Sequence, residues 1–304
     1  MDISIIIVSW NTVQYLEQSL SSIYANLPEI AFDVWVVDNA STDGSPQMVM
    51  ESFPQVHLIG NKQNVGFARA NNQAIRKSRG RFVWLLNSDT KVKPNALDHL
   101  FNFMQLHSDA GAAGSMYQNP DGSLQTSCYP LPTISREIWR LLHLDKVRPY
   151  GVYKMDKWSI SDPKEVEVLQ GASLILRREA LDQVGAFDED YFMYSEEVDL
   201  CNRLIEGGWS LNWVPQSQVV HYGGQSTQLA ATKMFLSLYQ TKILFFRKNH
   251  GDFAAFIYKL ILLGTSLARL AISPLAWLKP PFERNQYFKL TQHYMLLLKK
   301  LPRM

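Results

Sequence analysis

The chain of 304 residues is long enough to bury a full core and to carry an appendage beyond it. Hydrophobic residues make up 46%, aromatic residues 12% and charged residues 19%, which excludes a disordered or fibrous protein. The net charge of +2 conceals a split: residues 229–304 carry twelve Lys/Arg against Asp252 and Glu283, a balance of +10 that leaves the first 228 residues at −8. The acidic body, without basic residues interleaved with aromatics, argues against nucleic acid as a partner, whereas the basic tail suits an anionic surface. Two cysteines, Cys128 and Cys201, give no framework of bridges, and the chain opens on a strand-like run without a basic leader, so a reducing, cytoplasmic setting is expected.

Ile5-Ile6-Ile7-Val8 predicts a buried strand, and Val13, Leu16, Leu20 and Ile23 at helical spacing predict a helix behind the polar Ser9-Trp10-Asn11. Val34-Trp35-Val36-Val37 repeats the unit, ending in Asp38-Asn39-Ala40-Ser41-Thr42-Asp43-Gly44 with Ser45 as N-cap and Pro46 as first helical residue. A short strand over 56–59 leads through Asn64-Val65-Gly66 to an amphipathic helix with Phe67, Ala70 and Ala74, stopped at Gly80. The five apolar residues Phe82–Leu86 are too continuous for a half-exposed strand, so they predict a central strand covered on both faces. It stops at Asn87-Ser88-Asp89, and ligands bind beyond the carboxyl ends of such strands, which makes Asp89 a carboxylate at the rim of a crevice or simply part of a turn. Pro94 then starts a helix with Leu97, Leu100, Phe101 and Met104 on one side.

This alternation predicts an α/β fold with a doubly wound, mainly parallel sheet. The turn after the first strand lacks G-x-G-x-x-G, and no G-x-x-x-x-G-K-[ST] occurs, so neither of those phosphate cradles is present. Beyond residue 110 the pattern loosens into a smaller mixed region. Asn119-Pro120-Asp121-Gly122 predicts a hairpin turn between strands over 112–117 and 124–127. A helix is expected over 134–144, irregular chain suited to variable acceptor contacts over 147–163, and a strand over 166–176 whose Gln170-Gly171-Ala172 lets a ligand approach the backbone. The acidic stretch 187–200 runs into a helix with Val198, Cys201 and Leu204 facing the core, Ser195 as its cap and Asp199 set to pair with Arg203. Two short strands around Pro215 follow, the second ending at His221.

Seven of these stretches in order resemble family 2 of the glycosyltransferases, with its GT-A type fold, and most closely the rhamnosyltransferase-like branch. They are Val8-Ser9-Trp10-Asn11, Val37 to Ser45, Asn64-Val65-Gly66-Phe67-Ala68, Leu86-Asn87-Ser88-Asp89, Gln170-Gly171-Ala172, Glu196-Glu197-Val198-Asp199-Leu200 and Val220-His221-Tyr222-Gly223-Gly224. The resemblance implies a transferase domain over residues 1–225, with a nucleotide-binding half over about 1–115 and an acceptor half over about 116–225. Ser9, Asn11, Asp38, Asn64, Gly66, Arg69 and Ser88 would line the nucleotide pocket, with Asp38 accepting from the ring N–H of the base. Asp89 and His221 would hold a divalent cation, Mg²⁺ or Mn²⁺, on the diphosphate. Glu197 would be the general base, Glu196 its neighbour on the acceptor side, and Gly171, Ala172 and Asp199 would meet the sugars. Two departures stand out: the usual D-x-D reads Asn87-Ser88-Asp89, and the commoner Glu-Asp pair reads Glu196-Glu197. The implied activity is inverting, metal-dependent transfer of a sugar, rhamnose from a dTDP donor by analogy with the branch, to a hydroxyl on a lipid-linked glycan in cell-surface polysaccharide assembly.

The chemistry demands such residues whatever the family. Expelling a nucleoside diphosphate requires neutralised phosphate charge, and the incoming hydroxyl must lose a proton to a carboxylate on the opposite face of the sugar. The charges of Glu196 and Asp199 are expected to push Glu197 upward. A nucleotidyltransferase and a non-catalytic nucleotide-sugar-binding scaffold are the alternatives. In the tail, 234–246 and 253–278 predict apolar helices carrying Lys242, Arg247, Lys248, Lys259 and Arg269. Only nine uncharged residues separate Lys259 from Arg269, so a pair of helices lying on the inner face of the cell membrane is expected in place of a clean span, with a helical cap or a dimer contact as the alternative.

Overall fold

The computed structural model describes residues 1–26, 30–224, 231–274 and 280–304, leaving aside the side chains of 281–283, 285 and 286. The expected domain boundary at 225 and the end of the second apolar segment, 275–278, lie outside the described residues. Two compact units emerge: residues 1–131 with 153–229, and residues 132–152 with 230–304. Residues 132–152, assigned above to the acceptor half, thus group with the helices of the tail.

The first unit opens with β1 (Ile3–Ser9), α1 (Val13–Tyr24), β2 (Phe32–Asp38), α2 (Ser45–Ser52), β3 (His57–Gly60), α3 (Phe67–Lys77) and β4 (Phe82–Asn87). β2, β1 and β4 are parallel neighbours, with Ile5 opposite both Val34 and Trp84. Ile5, Ile7 and Trp84 pack with Leu16, Leu20 and Leu100 on one face of the sheet, while Ile6, Val37 and Leu85 pack with Ala70 and Ala74 of α3 on the other. Two covered faces are why each of these strands carries an unbroken apolar run, Ile5–Val8, Val34–Val37 and Phe82–Leu86. Gly44, at φ 89°, takes the cap position of α2, so Ser45 is its first residue and Pro46 its second. α3 ends at Lys77, before the expected Gly80.

β5 (Thr90–Val92), α4 (Ala96–Leu106), β6 (Ala110–Gln118), β7 (Leu124–Gln125) and β8 (Cys128–Tyr129) follow. After the excursion through the second unit, where α5 (Ile134–Leu141) lies, come β9 (Lys164–Glu165), β10 (Val168–Leu169), β11 (Ser173–Arg177), α6 (Arg178–Val184), α7 (Glu196–Glu206) and β12 (Ser210–His221). The main sheet runs β3-β2-β1-β4-β11-β6-β12-β5, mixed because β11 lies antiparallel between β4 and β6. The strand expected over 166–176 is two short strands and a loop at 170–172. The two strands expected around Pro215 are one, with its register shifting between Val214 and Gln218. The hairpin over 112–127 forms as expected, with Tyr117 opposite Gln125.

The second unit holds α5, the long α8 (Ala231–Ile272) and α9 (Pro281–Lys300). α8 is interrupted at Gly251, whose φ of 84° and ψ of 169° are not helical. By length and composition α8 is apolar enough to cross a membrane. Its second half buries Ala255, Tyr258, Leu262 and Ser266 and exposes Phe253, Phe256, Leu260, Leu263 and Leu267. Glu137 of α5 is buried against it: Lys242 Nζ reaches both carboxylate oxygens at 2.9 Å, and Tyr258 Oη donates to Oε2 at 3.1 Å.

Candidate active site

A cavity of about 430 Å³ opens at the carboxyl ends of the parallel strands. Val8 near the end of β1 and Trp10 just beyond it line the cavity, Asn39 follows β2, Asn64 and Phe67 precede and open α3, and Asn87 ends β4 with Ser88 and Asp89 after it. The remaining wall comes from Gln125 and Thr126, Gln170-Gly171-Ala172, Met193 and Tyr194, Glu196 and Glu197, and His221 with Gly223 and Gly224. Strand ends leave backbone and polar side chains unspent by the sheet, so the ligand-binding capacity of the fold collects there.

Asp89 and His221, far apart in sequence, meet because β5 turns back from β4 to pair with the end of β12, setting His221 opposite Thr90. The Tyr222 N–H donates to the Asp89 carbonyl at 3.0 Å, which fixes the junction. His221 Nε2 lies 3.5 Å from Asp89 Oδ1, and its Nδ1 lies 2.7 Å from Gln125 Oε1. A hard divalent cation prefers oxygen ligands and tolerates imidazole, so this pair fits the divalent cation implied above, with phosphate oxygens to complete its shell. No group of three or more His, Cys, Asp or Glu side chains suited to a metal occurs among the described residues, so the protein offers few ligands of its own.

Across the cavity Tyr194 and Ser195 both take left-handed backbone, φ 73° and 65°, a sparsely populated conformation that turns the chain sharply into α7. Ser195 occupies the cap position, but its hydroxyl makes no capping bond. Glu196 is buried and its Oε2 has no hydrogen-bond partner among the described residues. Burial, reinforced by the charge of Glu197, pushes Glu196 well above the usual carboxylate range. Burial raises Glu197 as well, opposed by the backbone N–H groups of Glu197 and Val198. Both carboxyls of the pair are therefore harder to ionise than an exposed glutamate. Asp199, expected to push it upward, does not: it is turned away from the cavity to accept from Arg203 Nε at 2.8 Å, with Tyr191 Oη 3.4 Å away.

Residues 4–185 match the sequence pattern of Glycosyl transferase family 2. The chain belongs to that family. It is 30% identical to the N-acetylglucosaminyl-diphospho-decaprenol L-rhamnosyltransferase of Mycobacterium tuberculosis over 81% of this chain and 84% of that one. It is 25% identical to rhamnosyltransferase WbbL of Escherichia coli over 76% and 87% of the respective chains. The fold is that of the mannosyltransferase PcManGT from Pyrobaculum calidifontis, solved with GDP-Man and Mn²⁺, at a TM-score of 0.57 and 18% identity over 98% of this chain and 86% of the other. This glycosyltransferase therefore has a GT-A-like architecture and stands with the rhamnosyltransferase-like branch.

Of the residues singled out in the sequence, Asn64, Ser88, Asp89, Gly171, Ala172, Glu196, Glu197 and His221 line the cavity of the glycosyltransferase. Ser9 lies just behind it in a hydroxyl chain, Ser9 Oγ to Thr12 Oγ1 at 3.1 Å and Thr12 Oγ1 to Ser88 Oγ at 2.9 Å. Asn11 and Asp38 shape the adjoining loop: the Asn11 N–H donates to Ser41 Oγ, Asn11 Oδ1 accepts from the Thr42 N–H, and Asp38 Oδ2 accepts from the Ser41 N–H. Asp38 Oδ1 is buried with no partner among the described residues. Gly66 supports the wall from behind, its ideal Cβ falling 2.4 Å from the Phe192 carbonyl oxygen. Arg69 lies outside the cavity and pairs with Glu189 at 3.0 Å. Gln125, Thr126, Met193 and Tyr194 had no assigned role, and a polar residue in a two-residue strand leaves no periodic signal to find it by.

Proposed function

We propose that the glycosyltransferase transfers rhamnose from dTDP-rhamnose, with inversion and with Mg²⁺ or Mn²⁺, to a hydroxyl of a lipid-linked saccharide in cell-surface polysaccharide assembly. The observation that carries this reading is the meeting of Asp89 and His221 with the Glu196–Glu197 pair around one cavity. The printed names of the relatives, one acting on a decaprenol-linked substrate, support the sugar and the acceptor class. The orphaned Asp38 Oδ1 supports recognition of a base N–H by that oxygen.

Asp89 and His221 would hold the cation, which when bound neutralises charge building on the departing diphosphate. Glu197 accepts the proton of the attacking hydroxyl. Glu196, protonated beside it, donates to a sugar oxygen and so positions the acceptor. Attack from the face opposite the leaving group inverts the anomeric carbon. The experiment is turnover with a panel of nucleotide sugars, cations and lipid-linked acceptors, following nucleoside diphosphate release. Glu197→Gln is expected to lower turnover about 10²- to 10⁴-fold with folding intact. Near-normal turnover would remove Glu197 as base, and a different preferred donor would remove rhamnose.

The exposed Phe253, Phe256, Leu260, Leu263 and Leu267, in a unit of strongly basic balance, support docking on the anionic inner face of the cell membrane. Co-flotation of the full chain with anionic vesicles, weakened by Phe253→Ser with Phe256→Ser, tests this; full recovery in the unbound fraction at low salt would refute it.

A further inference from the structure

The hairpin turn after β6 is tied to the cation site through a chain of side chains whose donors all run in one direction. Asp121 Oδ1, a carboxylate oxygen that accepts, takes hydrogen bonds from the Ser123 N–H at 2.9 Å and the Ser123 hydroxyl at 2.6 Å. With its proton committed, Ser123 Oγ accepts from Asn119 Nδ2 at 2.9 Å. That orients the Asn119 amide, so its Oδ1 accepts from Gln125 Nε2 at 2.9 Å. The same Gln125 Nε2 donates to the His221 carbonyl oxygen at 3.3 Å, and a carbonyl oxygen cannot donate in return. Two independent acceptors therefore fix which end of the Gln125 amide is nitrogen, a choice usually open to a flip. The end that faces His221 Nδ1, at 2.7 Å, is Oε1. An amide oxygen carries no proton, so Nδ1 must.

We propose that Gln125, oriented by the Asn119–Ser123 turn, is a positioning residue that holds the His221 proton on Nδ1 and leaves the Nε2 lone pair directed at Asp89. In the neutral ring Nε2 then meets the Asp89 carboxylate oxygen across 3.5 Å as a second acceptor. Two acceptors at that separation direct their lone pairs toward one place, the arrangement a bound cation would use. The edge of the His221 ring stands against the Tyr117 ring, centroids 5.6 Å apart, and Tyr117 pairs with Gln125 across the hairpin, so ring orientation and tautomer are set by the same two strands.

The functional consequence rests on the cation reading of Proposed function, so the test separates the two. In the full chain labelled with ¹⁵N, long-range proton–nitrogen spectra at about pH 8, with His221→Asn identifying the signals, report the ring tautomer directly. The expected result is hydrogen on Nδ1, moving toward Nε2–H in Gln125→Leu and in Asn119→Ala, and staying on Nδ1 in Gln125→Glu, which retains an acceptor there. Mn²⁺ affinity should fall about 10- to 100-fold in the first two variants. A wild-type ring without hydrogen on Nδ1, or an unchanged tautomer in Gln125→Leu and Asn119→Ala alike, overturns the proposal. If the wild type bound no Mn²⁺, the cation reading would fall while the tautomer still decided the role of Gln125.

Discussion

Glu196 and Glu197 sit side by side on a wall that holds back water, and the first proton to leave makes the second harder to remove. Because burial raises Glu197, the acid limb of the rate profile should lie above the usual carboxylate value of 4.5. Initial rates at saturating donor against pH check this. Glu196 contributes the opposite of an ordinary paired carboxylate. Its folded value is raised well above the usual 4.5, so between 4.5 and that folded value the native state keeps a proton that the unfolded chain has lost. Stability therefore declines as pH rises through this window, and Glu196→Gln should flatten the decline in denaturation measured at a series of pH values. The pairing of Glu196 with Glu197 was legible in the sequence; burial as the cause of both shifts was not, because Asp199 looks like a neighbouring charge until its bond to Arg203 is seen.

Elements covered on both faces were the legible ones. β1, β2 and β4 each present an unbroken apolar run, and that pattern fixes strand and parallel neighbour together. β5, β7 and β9 are two or three residues long, too short for any period, and their existence depends on partners distant in sequence. The meeting of Asp89 with His221 follows from the β5–β12 pairing, so the family resemblance could suggest it but periodicity could not. Between β3 and α3 the loop obeys a local rule that the sequence does display. Gly66, at φ 88° and against the Phe192 carbonyl, leaves no room for a side chain. Gly66→Ala should cost about 1–3 kcal/mol in thermal or chemical unfolding and weaken nucleotide binding more than a neutral surface change would.

At the level of the molecule, residues 132–152 were read as part of the acceptor half because the family resemblance carries that half from about 116 to 225. In the structure they belong to the helical unit, where buried Glu137 meets Lys242 and Tyr258 and where Arg269 Nη2 donates to the Leu141 carbonyl at 3.2 Å. Removing one partner of a buried ion pair strands the other, so Glu137→Ala should destabilise that unit by about 3–5 kcal/mol, seen as an earlier transition in denaturant. In the first unit the wall from Phe187 to Phe192 is sewn to α3. The Phe67 N–H donates to the Phe192 carbonyl, Asn72 exchanges hydrogen bonds with the Phe187 backbone, and Glu189 binds Arg69 and Arg76. Parting that seam would break all of these bonds at once, so the chain that leads into Glu196 moves together with α3 or not at all.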